Sequence, residues 1–146
     1  MIQINTLLES NGDIFVGIYN YSFLFDFDFK FKEGLVKFDG INSTGWTIYN
    51  TSNSDLPYNS INTLLKTNSG NVFVGTDNAY NTYEWGQGLA KFDGTSNTGW
   101  TIYNIDNSDL PSNSVYSLLE SSNGDICVGA KGGGLAKFDG LSLIHI

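Results

Sequence analysis

INTLLKTNSGNVFVG, residues Ile61–Gly75, reads as a β-hairpin. Ile61 to Leu65 form a first strand, Ser69-Gly70 supplies a turn, and Asn71 to Gly75 form a second strand with apolar residues at both parities. Val72 and Val74 point to one side and Phe73 to the other, so this strand needs cover on both faces, as in sheets stacked face to face. The stretch is not unique. INTLL also occurs at Ile4–Leu8, and VYSLL stands at Val115–Leu119. The second strand returns as NGDIFVG ending at Gly17 and NGDICVG ending at Gly129, with Asn11-Gly12 and Asn123-Gly124 as the turns. Asn-Gly is the strongest short hairpin signal, because a two-residue turn of this kind needs positive φ at both central positions.

The repeat continues past the hairpin. GLVKFDG ends at Gly40, GLAKFDG ends at Gly94 and again at Gly140, and GWTIYN and NSDLP each occur twice, 54 residues apart. Each unit therefore holds four short strands, the third closing at Asp-Gly and the fourth beginning at Trp. Pro57 and Pro111 fall in the links between units, where a missing N–H breaks no ladder. No stretch shows the 3.6-residue period of a helix. Four-stranded meanders repeating at about fifty residues predict an all-β chain, a fragment of a β-propeller with about three four-stranded antiparallel blades. Blade 1 spans about 2–54, blade 2 about 61–108 and blade 3 about 115–140, the last incomplete because no third GWTIYN-like strand follows its FDG.

The chain ends LSLIHI, which has no counterpart after Gly40 or Gly94. Read back as codons, these residues resemble the transposase adapter end of tagmentation libraries. Residues 141–146 are thus expected to be a non-native, adapter-derived tail, and its His145, the only histidine, is assigned no role. Without it there is no Ser/His/Asp triad, no Cys/His catalysis and no histidine-bound zinc. Asp39, Asp93 and Asp139 are turn residues of FDG, where the side chain meets local backbone donors. NSDLP lacks the dense alternating spacing of a calcium loop, and AKGGGL opens a strand where a phosphate loop opens a helix. No catalytic residue, metal or cofactor is assigned.

Charge narrows the partners. Seven Lys, no Arg and fifteen Asp plus Glu leave the 146-residue chain at −8, without the cationic surface that phosphate backbones require, so nucleic acid is not expected. No apolar run is long enough to span a bilayer, and MIQINTLLESNGD has no basic region before an apolar core, so neither membrane contact nor a signal peptide is read in this segment. The single Cys127 does not decide a redox compartment.

The segment NSDLPSNSVYSLLESSNGDICVGAKGGGLAKFDG resembles the two-component regulator propeller repeat, and the likeness extends over residues 1–140. Phe15, Phe73 and Cys127 stand where that family usually has Trp, with Cys127 expected as a small buried apolar residue. The resemblance implies a bacterial sensor ectodomain or secreted repeat protein, periplasmic or extracellular, partnered by the remaining blades of its own propeller and binding an oligosaccharide or a protein. Two other readings stay open: a propeller lyase or hydrolase with its catalytic residues in further blades, and a structural cell-surface array.

Connections between strands one and two, and three and four, are short and repetitive; they define one rim. Connections between strands two and three, with the interblade links, define the other. Sixteen residues separate Gly17 from Gly34, twelve separate Gly75 from Gly88, and four separate Gly129 from Gly134. Long loops on a rigid scaffold are where binding resides. Tyr19, Tyr21, Tyr80, Tyr83 and Trp85, beside Asn59 and Asn113, are the expected ligand-binding residues, flat rings and amides being suited to sugar C–H faces and hydroxyls. FLFDFDFKFK, residues 23–32, puts five Phe on one strand face and demands cover, since a bare edge of this kind aggregates.

Overall fold

A computed structural model describes residues 2–20, 33–39, 45–77, 86–140 and 142–146. These form three antiparallel four-stranded meanders. The first comprises β1 (Ile2–Ser10), β2 (Asp13–Asn20), β3 (Gly34–Phe38) and β4 (Trp46–Tyr49). The second comprises β5 (Ile61–Lys66), β6 (Val72–Thr76), β7 (Leu89–Phe92) and β8 (Thr101–Tyr103). The third comprises β9 (Val115–Glu120), β10 (Ile126–Ala130), β11 (Gly134–Phe138) and β12 (Leu143–His145). The first strands β1, β5 and β9 lie side by side and form the inner edges of the three blades.

The blades share no common centre; the core lies between them. One cluster joins Phe15, Leu35 and Tyr49 of blade 1 to Ile61, Val72, Val74, Ala90, Phe92 and Trp100 of blade 2. Within it Phe92 stacks on Trp100 at 4.0 Å, with Tyr49 at 5.6 Å from Phe92 in an edge arrangement, geometries that aromatic quadrupoles favour. A second cluster joins Phe73 and Leu89 of blade 2 to Val115, Ile126, Val128, Ala136, Phe138 and Leu143 of blade 3. The two parities of β6 thus serve two different interfaces, as their apolar character predicts.

Close approach between blades is set by the glycine of each VG pair. A Cβ on Gly17 would lie 2.6 Å from Ile61 Cγ2, and one on Gly75 would lie 2.7 Å from Val115 Cγ1. Each first strand therefore seats a β-branched side chain on the preceding blade's glycine, and any larger residue would push the sheets apart.

Three sequence expectations change in detail. Only Asn11-Gly12 is a two-residue turn with positive φ at both positions (55° and 86°). Blades 2 and 3 carry one more residue there; Thr67 and Ser121 pair with Asn71 and Asp125, and Gly70 and Gly124 alone take positive φ. Second, blade 3 is not short of a strand. Leu143–His145 pairs with β11 in the register Phe138↔Leu143, the place held by Trp46 against Phe38 in blade 1. A ladder needs only backbone groups, so LSLIHI serves despite sharing none of the repeat's residues; Leu143 is buried where the repeat has Trp. Third, Cys127 is half-buried, because no blade covers its side of the sheet.

The link between blades 1 and 2 is a hydrogen-bonded structure, and it does not stay on one rim. Asn53 Nδ2 donates to the Ile48 carbonyl, Ser54 Oγ to the Asn50 carbonyl, and Asn59 Oδ1 accepts from Thr51 N–H at 2.8 Å. The next link repeats this through Asn107, Ser108 and Asn113. Asp55 reaches the β7–β8 connection of blade 2, where its Oδ2 accepts from Gly99 N–H at 2.7 Å and Trp100 N–H at 3.3 Å.

Candidate functional site

Two residues beyond each VG glycine the repeat loses its regularity: Tyr19, Asp77 and Lys131 occupy the same position in blades 1, 2 and 3. Their backbones are held alike. Asp77 N–H donates to the Ser60 carbonyl and Lys131 N–H to the Ser114 carbonyl, so the divergence lies in the side chains alone. At the inner edge, Asn5 and Asn62 are equivalent and linked, Asn5 Nδ2 donating to Asn62 Oδ1 at 3.1 Å; blade 3 has Tyr116 in their place.

These departures converge. Asp77 is 1% exposed, and its Oδ2 accepts from the Tyr19 hydroxyl at 3.3 Å and from the Tyr116 hydroxyl at 2.9 Å. Lys131 Nζ stands 5.5 Å over the Tyr116 ring. Burial, and then the hydrogen bond to Asp77, push the Tyr116 hydroxyl above the ordinary tyrosine range, while Lys131 pulls the other way. The Tyr116 phenol therefore stays protonated at neutral pH, and both hydroxyls donate to Asp77. Two donors on Oδ2 still leave Asp77 half satisfied: among the described residues its buried Oδ1 has no hydrogen-bond partner, nor has the buried Ser60 Oγ. Burying a carboxylate oxygen without a donor costs several kcal/mol at the order-of-magnitude level, which marks the group as one with spare acceptor capacity.

Beside this network a groove of about 230 Å³ opens between Ile105, Pro111, Ser112 and Asn113 of the second link and Lys131-Gly132 of the β10–β11 turn. Lys131 belongs to both. The turn is only three residues long, 131–133, and fits closely: a Cβ on Gly133 would lie 2.6 Å from the Pro111 carbonyl oxygen. An apolar wall of Ile105 and Pro111 facing an amide and an ammonium can receive a flat, hydroxyl-bearing ligand.

Of the residues expected from sequence, Tyr19 is in the network. Asn59 and Asn113 hold the links through their side-chain oxygens, and Asn113 also lines the groove. Tyr21, Tyr80, Tyr83, Trp85 and the Phe-rich arm at 23–32 lie outside the described residues. Asp77, Tyr116 and Lys131 were missed. Their signal was available in the sequence as disagreement between repeats at one position. His145 Nε2 lies 3.1 Å from the Gly133 carbonyl. Among the described residues no group of three His, Cys, Asp or Glu side chains is placed to hold a metal, and there is no helix long and apolar enough to cross a membrane.

A four-stranded meander repeated with its core between blades is the architecture of a β-propeller. Residues 55–78 match the family described as two component regulator propeller. The fold is similar to the extracellular domain of the hybrid two component system BT3049 from B. thetaiotaomicron, with a TM-score of 0.68 and 20% identity over 96% of this chain and 16% of that one. It is similar also to the extracellular domain of the hybrid two component system BT4673 from the same organism, with a TM-score of 0.64 and 19% identity over 96% of this chain and 18% of that one. The chain thus spans about a sixth of the length of these structures. No curated protein matches it.

Proposed function

We propose that this chain is the ligand-binding part of a propeller in a bacterial sensor ectodomain, working outside the cytoplasm, without catalysis, and packed against further blades of the same propeller. The ligand is an oligosaccharide. The observation that carries the reading is the convergence of Tyr19, Asp77, Tyr116 and Lys131 where an otherwise regular repeat diverges. Scaffold positions in this chain agree between blades, as the VG glycines and the link asparagines do; a position that differs in all three, yet joins one hydrogen-bond network, serves a task other than holding the fold. Asp77 Oδ1 offers an acceptor for a sugar hydroxyl. Tyr21, Tyr80, Tyr83 and Trp85 supply stacking surfaces from the two long loops of the same rim. In the whole sensor, occupancy alters packing between propellers and so signals onward.

The experiment is binding of the complete propeller to a panel of neutral, acidic and amino-substituted oligosaccharides by calorimetry. A neutral oligosaccharide binds, and Asp77→Asn, which keeps the shape but halves the carboxylate's acceptor capacity, weakens it about tenfold or more, in line with the loss of one charged hydrogen bond. Absence of binding to every glycan sinks the ligand class. Binding untouched both by Asp77→Asn and by the double change Tyr80→Ala, Trp85→Ala sinks the rim as the site.

A further inference from the structure

The tetrapeptide SNGD forms the first hairpin turn twice, at Ser10–Asp13 in blade 1 and at Ser122–Asp125 in blade 3, and the two copies fold differently. In blade 1 both Asn11 and Gly12 take positive φ; in blade 3 only Gly124 does. Both turns are exposed, and a Cβ on either glycine would meet nothing within 4 Å. Their side chains keep different company. Asn123 is tied within its own turn: Nδ2 donates to Asp125 Oδ2 at 3.0 Å, Oδ1 accepts from the Ser121 hydroxyl and from Asp125 N–H, and Gly124 N–H donates to the Ser121 carbonyl at 2.9 Å. Asn11 instead reaches across to blade 2, where its Oδ1 accepts from Lys66 Nζ at 3.2 Å, while Gly12 N–H donates to Glu9 Oε1 at 2.7 Å.

In an Asn-Gly pair the glycine nitrogen can attack the asparagine carboxamide with no side chain in its way. The attack needs a base for the proton on that nitrogen and a partner for the charge that builds on the carboxamide oxygen. Blade 1 has both, the Glu9 carboxylate on the N–H and the Lys66 ammonium on the oxygen. In blade 3 two neutral donors polarise the oxygen, but the Gly124 proton faces a peptide carbonyl, which is no base, and Asp125 anchors the amine that must leave. We propose that Asn11-Gly12 is a self-modification site, where Glu9 and Lys66 promote closure to a succinimide, and that the same sequence at Asn123-Gly124 is protected. Ring closure needs the turn to open briefly, which exposed hairpin ends do at little cost, and the long Glu and Lys side chains can follow. Gly12 N bonds to Asn11 Cγ and gives its proton to Glu9; the Cγ–Nδ2 bond breaks as Nδ2 takes that proton and leaves as ammonia. Water then opens the ring at one carbonyl or the other, giving aspartate or isoaspartate at position 11. Aspartate turns a neutral interblade hydrogen bond to Lys66 into an ion pair. Isoaspartate adds a backbone carbon to a two-residue turn and so disturbs the Ser10↔Asp13 register.

Peptide mass spectrometry of the complete propeller, held in neutral buffer over a time course, tests this by following loss of ammonia and gain of water at each Asn-Gly pair. Position 11 converts at least about tenfold faster than position 123 in the folded protein, and the two convert alike in urea, where only the shared SNGD sequence acts. Glu9→Gln and Lys66→Met each slow position 11 about tenfold in the folded protein, a modest effect beside that of such groups in closed active sites, and change nothing in urea. Position 123 stays slow in both variants, which shows that they remain folded. Equal rates at the two positions in the folded protein overturn the proposal. So does a rate at position 11 that either variant leaves unchanged, and so does a difference between the positions that persists in urea, which would belong to the flanking sequence and not to the turns.

Discussion

Trp46 and Trp100 occupy the same place in successive blades, each stacked on the Phe that ends its FDG strand, at 4.5 Å and 4.0 Å. Yet Trp100 is 8% exposed and Trp46 is 53% exposed. The difference owes nothing to the blade that contains them. Trp100 is covered by Tyr49 of the preceding blade, and among the described residues no other blade covers Trp46. A propeller blade is therefore a half-structure whose core residues become core only on docking, in the manner of stacked repeats that cannot bury their faces alone.

The largest test of that contrast is to truncate both indoles. Trp100→Ala is expected to lower stability by about 3–5 kcal/mol, as for buried aromatic residues, and Trp46→Ala by about 1 kcal/mol or less, in urea denaturation of the same chain. Equal losses would break the comparison. The next is the socket. Gly75→Val inserts methyl groups against Val115 and Thr63 and should cost about 1–3 kcal/mol, whereas Gly129→Val has only the Ser117 side chain to displace and should cost clearly less. A similar pairing holds for the links. Asp55→Ala removes the acceptor of two backbone N–H groups and should cost about 1–2 kcal/mol; Asp109→Ala, at the equivalent, exposed position of the next link, should stay within about 0.5 kcal/mol.

The smallest effect is electrostatic. Asp93 accepts from Thr95 N–H, Ser96 N–H and the Ser96 hydroxyl, all at 2.8 Å, and these bonds hold its carboxyl well below the usual carboxylate range. The charged form is favoured in the fold, so its contribution is fully present above about pH 4, the unfolded value, and fades as pH falls below that toward the lowered folded value. Following the Thr95 and Ser96 amide signals down an acid titration should show the turn loosening well below pH 4, and at no such pH in Asp93→Asn.

Much of this fold was legible because repeats advertise what they share. Agreement among three units located the strands, the links and the two-faced second strand, and the Asp of FDG proved to serve its turn, as Asp93 and Asp139 show. What was illegible depends on differences or on backbone alone. One extra residue converts the first hairpin turn into another type without disturbing the pattern. The tail pairs as β12 through main-chain bonds that carry no residue signature. The Tyr19–Asp77–Tyr116 network comes from three distant positions, each a departure from the repeat, and a reading based on recurrence discards departures. We still propose an adapter origin for residues 141–146; independent genomic reads running through those codons would remove it.

The Asp55 bonds also bear on how such a chain comes to be folded as it is made. Gly99 and Trp100 lie 44 and 45 residues downstream of the carboxylate that receives them. Blade 1 can form its own ladders as it emerges, but the link that fixes it is completed only when the outer edge of blade 2 has been synthesised. Blade 1 is thus finished by its successor: as the chain is made from its amino end, the link that follows blade 1 waits for the last strand of blade 2.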